Sequence, residues 1–243
     1  MPLVRVPRND SSTRPRRGGD AVERGKGPTA MVNRTDGPFP EEVFLNLAYG
    51  PKSEMLVLAY ITGLTALGLT PVLALDVAGS VRRLDRIRSL LRRSQYSLHD
   101  LHRVGARRWN MILELGMAIE CAEEHRWFVL DSKYTRALRA LSDLNGTDIY
   151  EHNGTPVGVF RALLDIFSKP EGLLTVNGLR EVFRQFLAEA RQIQRHQGAK
   201  SPFERRVFQR LVIAARRVNA EYQNPQSESG TRGHGRQGSK SHA

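Results

Sequence analysis

Residues 95–131, QYSLHDLHRVGARRWNMILELGMAIECAEEHRWFVLD, place a helical pattern between two short apolar runs. The runs at residues 95–101 and 127–131 have the length of buried strands. Between them, residues 110–124 repeat apolar side chains at helical spacing. A strand, a helix and a second strand in this order are typical of two parallel strands joined by a crossover helix.

The same alternation extends from this unit in both directions along the chain. We predict further strands at residues 42–48, 71–76 and 147–151, and further helices at residues 53–67, around 84–91, at 134–144 and at 156–167. Strands and helices that alternate in this way favour a sheet covered by helices on both faces. The sequence therefore predicts an open, mainly parallel α/β sheet between residues 36 and 169.

Charge and cysteine content narrow the classes of function. The chain has 37 Lys and Arg against 25 Asp and Glu, a formal charge of +12, which would suit a nucleic acid or a nucleotide phosphate. No recognised nucleic-acid motif accompanies this charge, so solvated arginines are the alternative. The single cysteine, Cys121, excludes an intramolecular disulfide and a thiolate-cluster zinc site, and it agrees with a reducing compartment such as the cytoplasm.

The two ends of the chain contain few large apolar side chains. We expect residues 1–35 and 223–243 to be disordered, because such segments bury too little surface to offset the entropy lost on ordering. The apolar stretch at residues 55–75 is interrupted by Gly63, Gly68 and Pro71. It therefore predicts a helix, a turn and a strand, and not a membrane span.

Residues 173–222 form a C-terminal extension with two amphipathic helical stripes, which predict an α-helical hairpin. One alternative is that the stripes pack on the α/β domain. The other is that they dock onto another protein or a second copy of the chain. Arginines on both helices also leave nucleic-acid contact open.

Polar side chains gather at the carboxyl ends of the predicted strands. In open α/β sheets, ligands bind outside these ends, where successive connections diverge to opposite faces. The residues are Asn46, Tyr49, Asp76, His99, Asp100 and Asp131. Each alone is equally typical of a turn or a helix cap, so the hypothesis of a site depends on their shared edge.

Glu114 has unusual surroundings for a helical glutamate. Its neighbours three, four and seven positions away are apolar or weakly polar: Met111, Met117, Ala118 and Cys121. Burial among them would raise its pKa, while the positive end of a helix beginning near Asn110 would favour the ionised form. Opposite effects of this kind on the pKa of one group are common at functional sites. The alternative is a glutamate that only complements the helix dipole.

The series VFLNLAYG, LALD, RLDRIRSLLRRSQYSLHDL and NMILELGMAI resembles the superfamily of TIR domains and nucleoside 2-deoxyribosyltransferases over about residues 42–168. The resemblance implies a flavodoxin-like sheet and cleavage of the N-glycosidic bond of NAD or of nucleosides. It makes Glu114 the catalytic glutamate and puts Asp100 where the transferases keep an aspartate. Before Glu114, the Ser-x-Trp-Cys run of TIR domains is replaced by Arg108-Trp109-Asn110-Met111. A catalytically silent module that binds a nucleotide or a protein is therefore the alternative.

On this interpretation each candidate residue has a role. Glu114 would stabilise an oxocarbenium-like transition state or attack as a nucleophile, and Asp100 would orient the ribose hydroxyls. Positive side chains would hold a diphosphate at the mouth of the crevice. The predicted substrate-binding residues are Asn46, Tyr49, Lys52, Asp76, Arg82, Arg83, His99 and Asn110.

Other chemistries have little support in the sequence. We expect no metal and no cofactor, since His99 and His102 lie at a predicted strand end where side chains alternate sides, and Cys121 lies in an apolar helix. No Gly-x-Ser-x-Gly, Walker or Rossmann glycine pattern occurs. The expected partner is NAD or a nucleoside-type substrate. TIR enzymes often become active on oligomerising, so the resemblance also favours self-assembly through the C-terminal helices, and it alone suggests nucleotide-depleting defence or signalling.

Overall fold

Five parallel strands form one open sheet. They are β1 (Glu42–Asn46), β2 (Thr70–Val72), β3 (Tyr96–Asp100), β4 (Arg126–Asp131) and β5 (Ile149–Glu151), in the order β2-β1-β3-β4-β5. The computed structural model describes residues 41–76, 82–102, 109–121, 126–132, 147–167 and 174–224. The strand order is that of flavodoxin-like sheets. The predicted parallel α/β sheet is confirmed.

The described residues form six α-helices: α1 (Glu54–Ala66), α2 (Arg83–Arg93), α3 (Trp109–Glu120), α4 (Pro156–Ile166), α5 (Val176–His196) and α6 (Arg205–Gln223). Side chains alternate along the strands, so that Val43 and Leu45 share a core with α1 and α4, whereas Phe44 packs with α2 and α3. Helices α1 and α4 therefore lie on one face of the sheet, and α2 and α3 on the other.

Strand β2 is shorter than the sequence predicts. The expected strand at residues 71–76 ends at Val72, and Ala74–Asp76 form a 3-10 helix. Among the described strands β2 lies at the edge of the sheet beside β1, and an edge strand tolerates Pro71, which has no N–H to donate. The predicted helix at residues 134–144 lies outside the described residues, as do the predicted disordered ends at residues 1–35 and from 225 onward.

Helix α1 is buried on all sides, with every residue from Leu56 to Ala66 buried. A helix that is apolar all round needs cover on both sides, and here the sheet supplies one and the α5–α6 hairpin the other. Gly63 allows α4 to approach closely, since a Cβ there would lie 2.5 Å from Leu163 Cδ1. The prediction that residues 55–75 form a helix, a turn and a strand is confirmed. Among the described helices, none has both the length and the apolar composition needed to cross a membrane.

The apolar stripes of the C-terminal hairpin pack inside the chain. Val182 and Phe186 of α5 and Phe208 of α6 belong to the same core as α1. Asn219 Nδ2 on α6 also donates a hydrogen bond to Thr65 Oγ1 on α1, at 2.8 Å. Of the two alternatives for the hairpin stripes, packing on the α/β domain is the one that the structure adopts.

Candidate functional site

The chain leaves β1 and β3 toward opposite faces of the sheet, α1 on one face and α3 on the other. Such a switch point opens a crevice at the carboxyl ends of the two strands. A small crevice lies there, lined by Leu47, Ala48, Ser53, Leu56, Val57, Asp100 and His102. Its walls are mostly apolar, and its polar groups come from the end of β3 and the start of α1.

Asp100, the last residue of β3, is 4% exposed and accepts three hydrogen bonds. Its Oδ1 accepts from the backbone N–H of His102 at 2.8 Å and from His152 Nε2 at 3.1 Å, and its Oδ2 accepts from the Tyr60 hydroxyl at 3.0 Å. Burial and the negative charge of Asp100 raise the pKa of Tyr60, which keeps the phenol protonated as a donor. Since a carboxylate has about four acceptor positions, little capacity remains for a ligand.

His152 is fully buried just after β5. The backbone N–H of Gly154 donates to its Nδ1 at 3.0 Å, so the hydrogen on Nε2 faces Asp100. Burial favours the neutral ring, but the hydrogen bond and charge of Asp100 outweigh it, so the pKa of His152 is raised. The turn that presents the ring requires positive φ at Asn153 (52°) and Gly154 (64°), residue types that tolerate this region.

Asp131, the last residue of β4, is 3% exposed and adds a second carboxylate to this edge. Burial raises its pKa to about 6, a hydrogen bond from the backbone of Ser132 works in the opposite direction, and the charge of Asp100 raises it further. That bond joins Ser132 N to Asp131 Oδ1 at 2.6 Å. Asp100, Asp131 and His152 therefore form an electrostatically coupled group in which protonation of one member affects the others.

Glu114 on α3 is buried, as the sequence predicts. Its side chain is 6% exposed, and its Oε1 accepts from Nη2 of Arg83 at 3.3 Å. Burial raises its pKa, while the charge and hydrogen bond of Arg83 and a hydrogen bond from Asn110 act to lower it. The sequence pattern did not reveal the pairing with Arg83, because that cation comes from another helix.

Asn46 and His99 hold α3 against the sheet. Asn46 Nδ2 donates to Met111 O at 2.8 Å and lies 3.0 Å from His99 Nδ1. The opposite ring nitrogen of His99, Nε2, lies 2.9 Å from Ser97 Oγ. Both side chains are buried and hydrogen-bonded inside the protein. These bonds position the first turn of α3, one turn before Glu114, and substrate binding by Asn46 and His99 stays a prediction.

The other predicted substrate-binding residues lie at scattered positions. The half-buried Tyr49 packs edge-on against Phe203 near the C-terminal hairpin, with ring centroids 4.9 Å apart. Lys52 and Arg82 are exposed, in the 3-10 helix Pro51–Ser53 and just before α2, and Asp76 ends the 3-10 helix Ala74–Asp76.

Two separate groups of charged and polar residues thus border the strand ends. Glu114, Arg83 and Asn110 form one group on the face of α2 and α3. Asp100, His152 and Asp131 form the other group, which lies on the α1 face because Asp100 accepts a hydrogen bond from Tyr60 of α1. No hydrogen bond or ion pair between described residues connects Glu114 with Asp100. The predicted pair of catalytic carboxylates is therefore divided between the two faces of the sheet.

Sequence reasoning missed Tyr60 and His152. Tyr60 lies in a helix with no polar face, and His152 follows a strand of only three residues. Within the described part of the chain, no three His, Cys, Asp or Glu side chains are arranged to hold a metal ion. Comparison with protein-family models, curated proteins and solved structures finds no match to this chain.

Proposed function

We propose that the protein binds a nucleotide along the carboxyl ends of β1 and β3, from the small crevice on the α1 face to Glu114 on the α3 face, and hydrolyses its base–ribose bond with Glu114 as the catalytic carboxylate. The reaction class follows from the resemblance to TIR domains and nucleoside 2-deoxyribosyltransferases. The observation that carries the proposal is the burial of Glu114 beside a half-exposed cation: its side chain is 6% exposed, and that of Arg83 is 54% exposed. A buried carboxylate interacts more strongly with developing positive charge than one in water.

In the proposed reaction the bond between C1′ and the base nitrogen breaks, and its electron pair leaves with the base. Glu114 stabilises the positive charge that develops on the ribose, water attacks C1′, and one proton is released. Arg83 reaches Glu114 from the exposed first turn of α2. A substrate diphosphate would attract the same guanidinium, and its movement to the phosphate would leave the carboxylate free to face the ribose. Nicotinamide leaves NAD as a neutral base, so this scheme needs no further general acid.

Asp100 takes a different part in this proposal from the one that the resemblance implies. Its two oxygens already accept hydrogen bonds from Tyr60, His102 and His152. We assign it to holding the wall of the crevice, and not to orienting ribose hydroxyls. His102 and Ser53 also line the crevice, and besides Asp100 they are the polar side chains of the lining that a nucleotide would meet.

The same contacts favour a second candidate, a nucleotide-binding module without catalysis. Asp100 is committed to the protein interior, and Glu114 is already paired with Arg83. If this pair persists when a nucleotide binds, the carboxylate supports α3 and does not meet the ribose. The two candidates share a ligand and differ only in turnover.

We place this activity in the cytoplasm, in agreement with the single cysteine, Cys121. Self-assembly through the C-terminal helices would have to use their outer face, because their apolar stripes are buried against α1. The large apolar side chain most exposed on that face is Ile213, at 67%.

Binding and turnover can be measured separately on the full chain. Calorimetry with NAD, NADP and a panel of nucleosides tests the ligand, and chromatography of the same mixtures tests release of the free base. Binding with base release supports the N-glycosidase. Binding without release supports the silent module, and absence of binding to every compound contradicts both.

A further inference from the structure

The outer face of the α5–α6 hairpin is strongly basic. Between Arg191 and Arg217 the sequence has eight Lys and Arg and one acidic residue, Glu204. Six of these cations are exposed, and their side chains form no ion pair or hydrogen bond with other described residues: Arg191, Arg195, Lys200, Arg205, Arg206 and Arg210. We call these six residues the basic face.

Three other arginines of the same hairpin are paired, whereas Arg180, near the start of α5, is exposed and forms no side-chain ion pair or hydrogen bond with another described residue. Arg184 contacts Glu181 at 2.5 Å, and Arg217 contacts Glu189 at 2.6 Å. Arg216 hydrogen-bonds to Thr70 on the edge strand β2. The unpaired cations are therefore concentrated around the turn between α5 and α6 and in the first turns of α6.

The α6 part of the basic face lies where positive charge opposes helix stability, whereas Arg195 lies in the last turn of α5, where the helix dipole favours a cation. Arg205 and Arg206 open α6, at the end where the helix dipole disfavours cations. Arg206 and Arg210 are four residues apart, so two like charges stand one above the other on the helix. The start of α6 therefore has two unfavourable features, cations at the positive end of the helix dipole and two like charges one turn apart. Such a departure from the usual placement of charge at exposed residues indicates a function for the charge, beyond solubility.

We propose that the basic face binds the phosphate backbone of duplex DNA without reading its sequence. The charge matches a polyanion that carries one phosphate per strand for about every 3.4 Å of axis. Arg206 and Arg210 are separated by about 6 Å along the helix, so both can reach one strand. The proposal uses none of the residues assigned to the nucleotide site, and its success or failure is independent of that site.

The side chains of the basic face favour a duplex over a single strand. Single-strand binding sites combine positive charge with aromatic platforms for the bases. Between Arg191 and Arg217 the Phe, Tyr and Trp residues of the described hairpin are Phe203 and Phe208, which are both buried, and the one exposed aromatic ring there is that of His196. B-form DNA has a major groove about 12 Å wide that admits a helix, whereas the groove of duplex RNA is too narrow. Helix α6, with 19 residues, is long enough to cross that groove.

Fluorescence anisotropy of the full chain with a labelled DNA duplex, at several salt concentrations, tests the proposal. The affinity should fall steeply with salt. Replacing Arg206 and Arg210 together by alanine should weaken binding at low salt at least tenfold and reduce the slope of log affinity against log salt by about 1.8, or 0.9 for each lost phosphate contact. A second pair, Arg191→Ala with Arg195→Ala, should act in the same direction.

The matched control is the double variant Arg88→Ala and Arg92→Ala. These arginines are exposed on α2, on the other side of the sheet, and their replacement removes the same charge. This control should bind DNA nearly as well as the wild type. Equal losses in the control and the Arg206/Arg210 variant would overturn the proposal, and so would absence of DNA binding at low salt. Equal or tighter binding to single-stranded DNA, to duplex RNA or to vesicles of anionic lipid would also overturn it.

Discussion

Nε2 of His152 lies 3.1 Å from Oδ1 of Asp100, although the two residues are 52 positions apart in the sequence. Both side chains are buried. The bond joins the end of β3 to the turn before α4. Because Asp100 also accepts from Tyr60 on α1, three segments meet at one carboxylate. This contact fixes one wall of the crevice in which we place the nucleotide.

Asp100→Asn should lower the free energy of unfolding by roughly 2–4 kcal/mol, because the amide has one acceptor oxygen and leaves a buried donor of Tyr60 or His152 without a partner. Urea unfolding followed by circular dichroism measures the change. Asp165→Asn, at an exposed position of α4, is the control and should change stability by less than about 0.5 kcal/mol. Equal stability of the two variants would show that the Asp100 contacts contribute little.

Gly158→Ala should prevent α4 from docking in its present position. A Cβ at Gly158 would lie 1.8 Å from the backbone oxygen of His152, and backbone cannot move aside as a flexible side chain does. We expect a loss of at least about 3 kcal/mol or failure to fold. Gly116→Ala on α3 meets nothing within 4 Å and should instead stabilise by about 0.5–1 kcal/mol. A Gly158→Ala protein as stable as the wild type would contradict the close contact between α4 and the turn that holds His152.

The raised pKa of Asp131 predicts a specific dependence of stability on pH. In the unfolded chain this group has a pKa near 3.9, and in the folded protein its pKa is about 6. Between these values the folded state retains a proton that the unfolded state releases, so the contribution of Asp131 to stability falls as pH rises and is lowest above about pH 6.

Asp131→Asn removes this penalty while its side-chain oxygen can still accept from Ser132. Relative to wild type, the variant should gain up to about 3 kcal/mol in unfolding free energy between about pH 4 and pH 7. Urea unfolding across this pH range provides the measurement. The control is Asp165→Asn at an exposed position, for which the difference in unfolding free energy from wild type should not change with pH. If the difference between Asp131→Asn and wild type did not vary with pH, the buried carboxylate would be ionised throughout.

Local sequence patterns were sufficient to predict the sheet, since apolar runs, helical stripes and turn residues report on neighbours within a few positions. The predicted strand at residues 95–101 and the observed β3, Tyr96–Asp100, differ by one residue at each end. The burial of Glu114 was also predicted, because its helical neighbours are themselves part of the sequence pattern. The early end of β2 was not predicted, because Leu73 and Ala74 are as apolar as the strand before them.

The partners of the site residues could not be predicted in the same way. Arg83 lies 31 positions from Glu114, and Tyr60 lies 40 positions from Asp100. Such pairs depend on which strand ends and helix ends the topology brings together, and local periodicity carries no information on that. The division of Glu114 and Asp100 between opposite faces follows from the same topology, since α1 and α3 leave the sheet on different sides.

The catalytic role of Glu114 is tested most directly by base release from NAD and nucleosides, measured with wild type, Glu114→Gln and Glu120→Gln. Glutamine preserves volume and removes the charge, and Glu120 is an exposed glutamate on the same helix. We predict that Glu114→Gln melts near the wild-type temperature, still binds the nucleotide and loses at least about a hundredfold in turnover, or about 2.7 kcal/mol of barrier, while Glu120→Gln stays near wild type. Unchanged turnover in folded Glu114→Gln, or no base release by the wild type from any compound, would contradict the assignment.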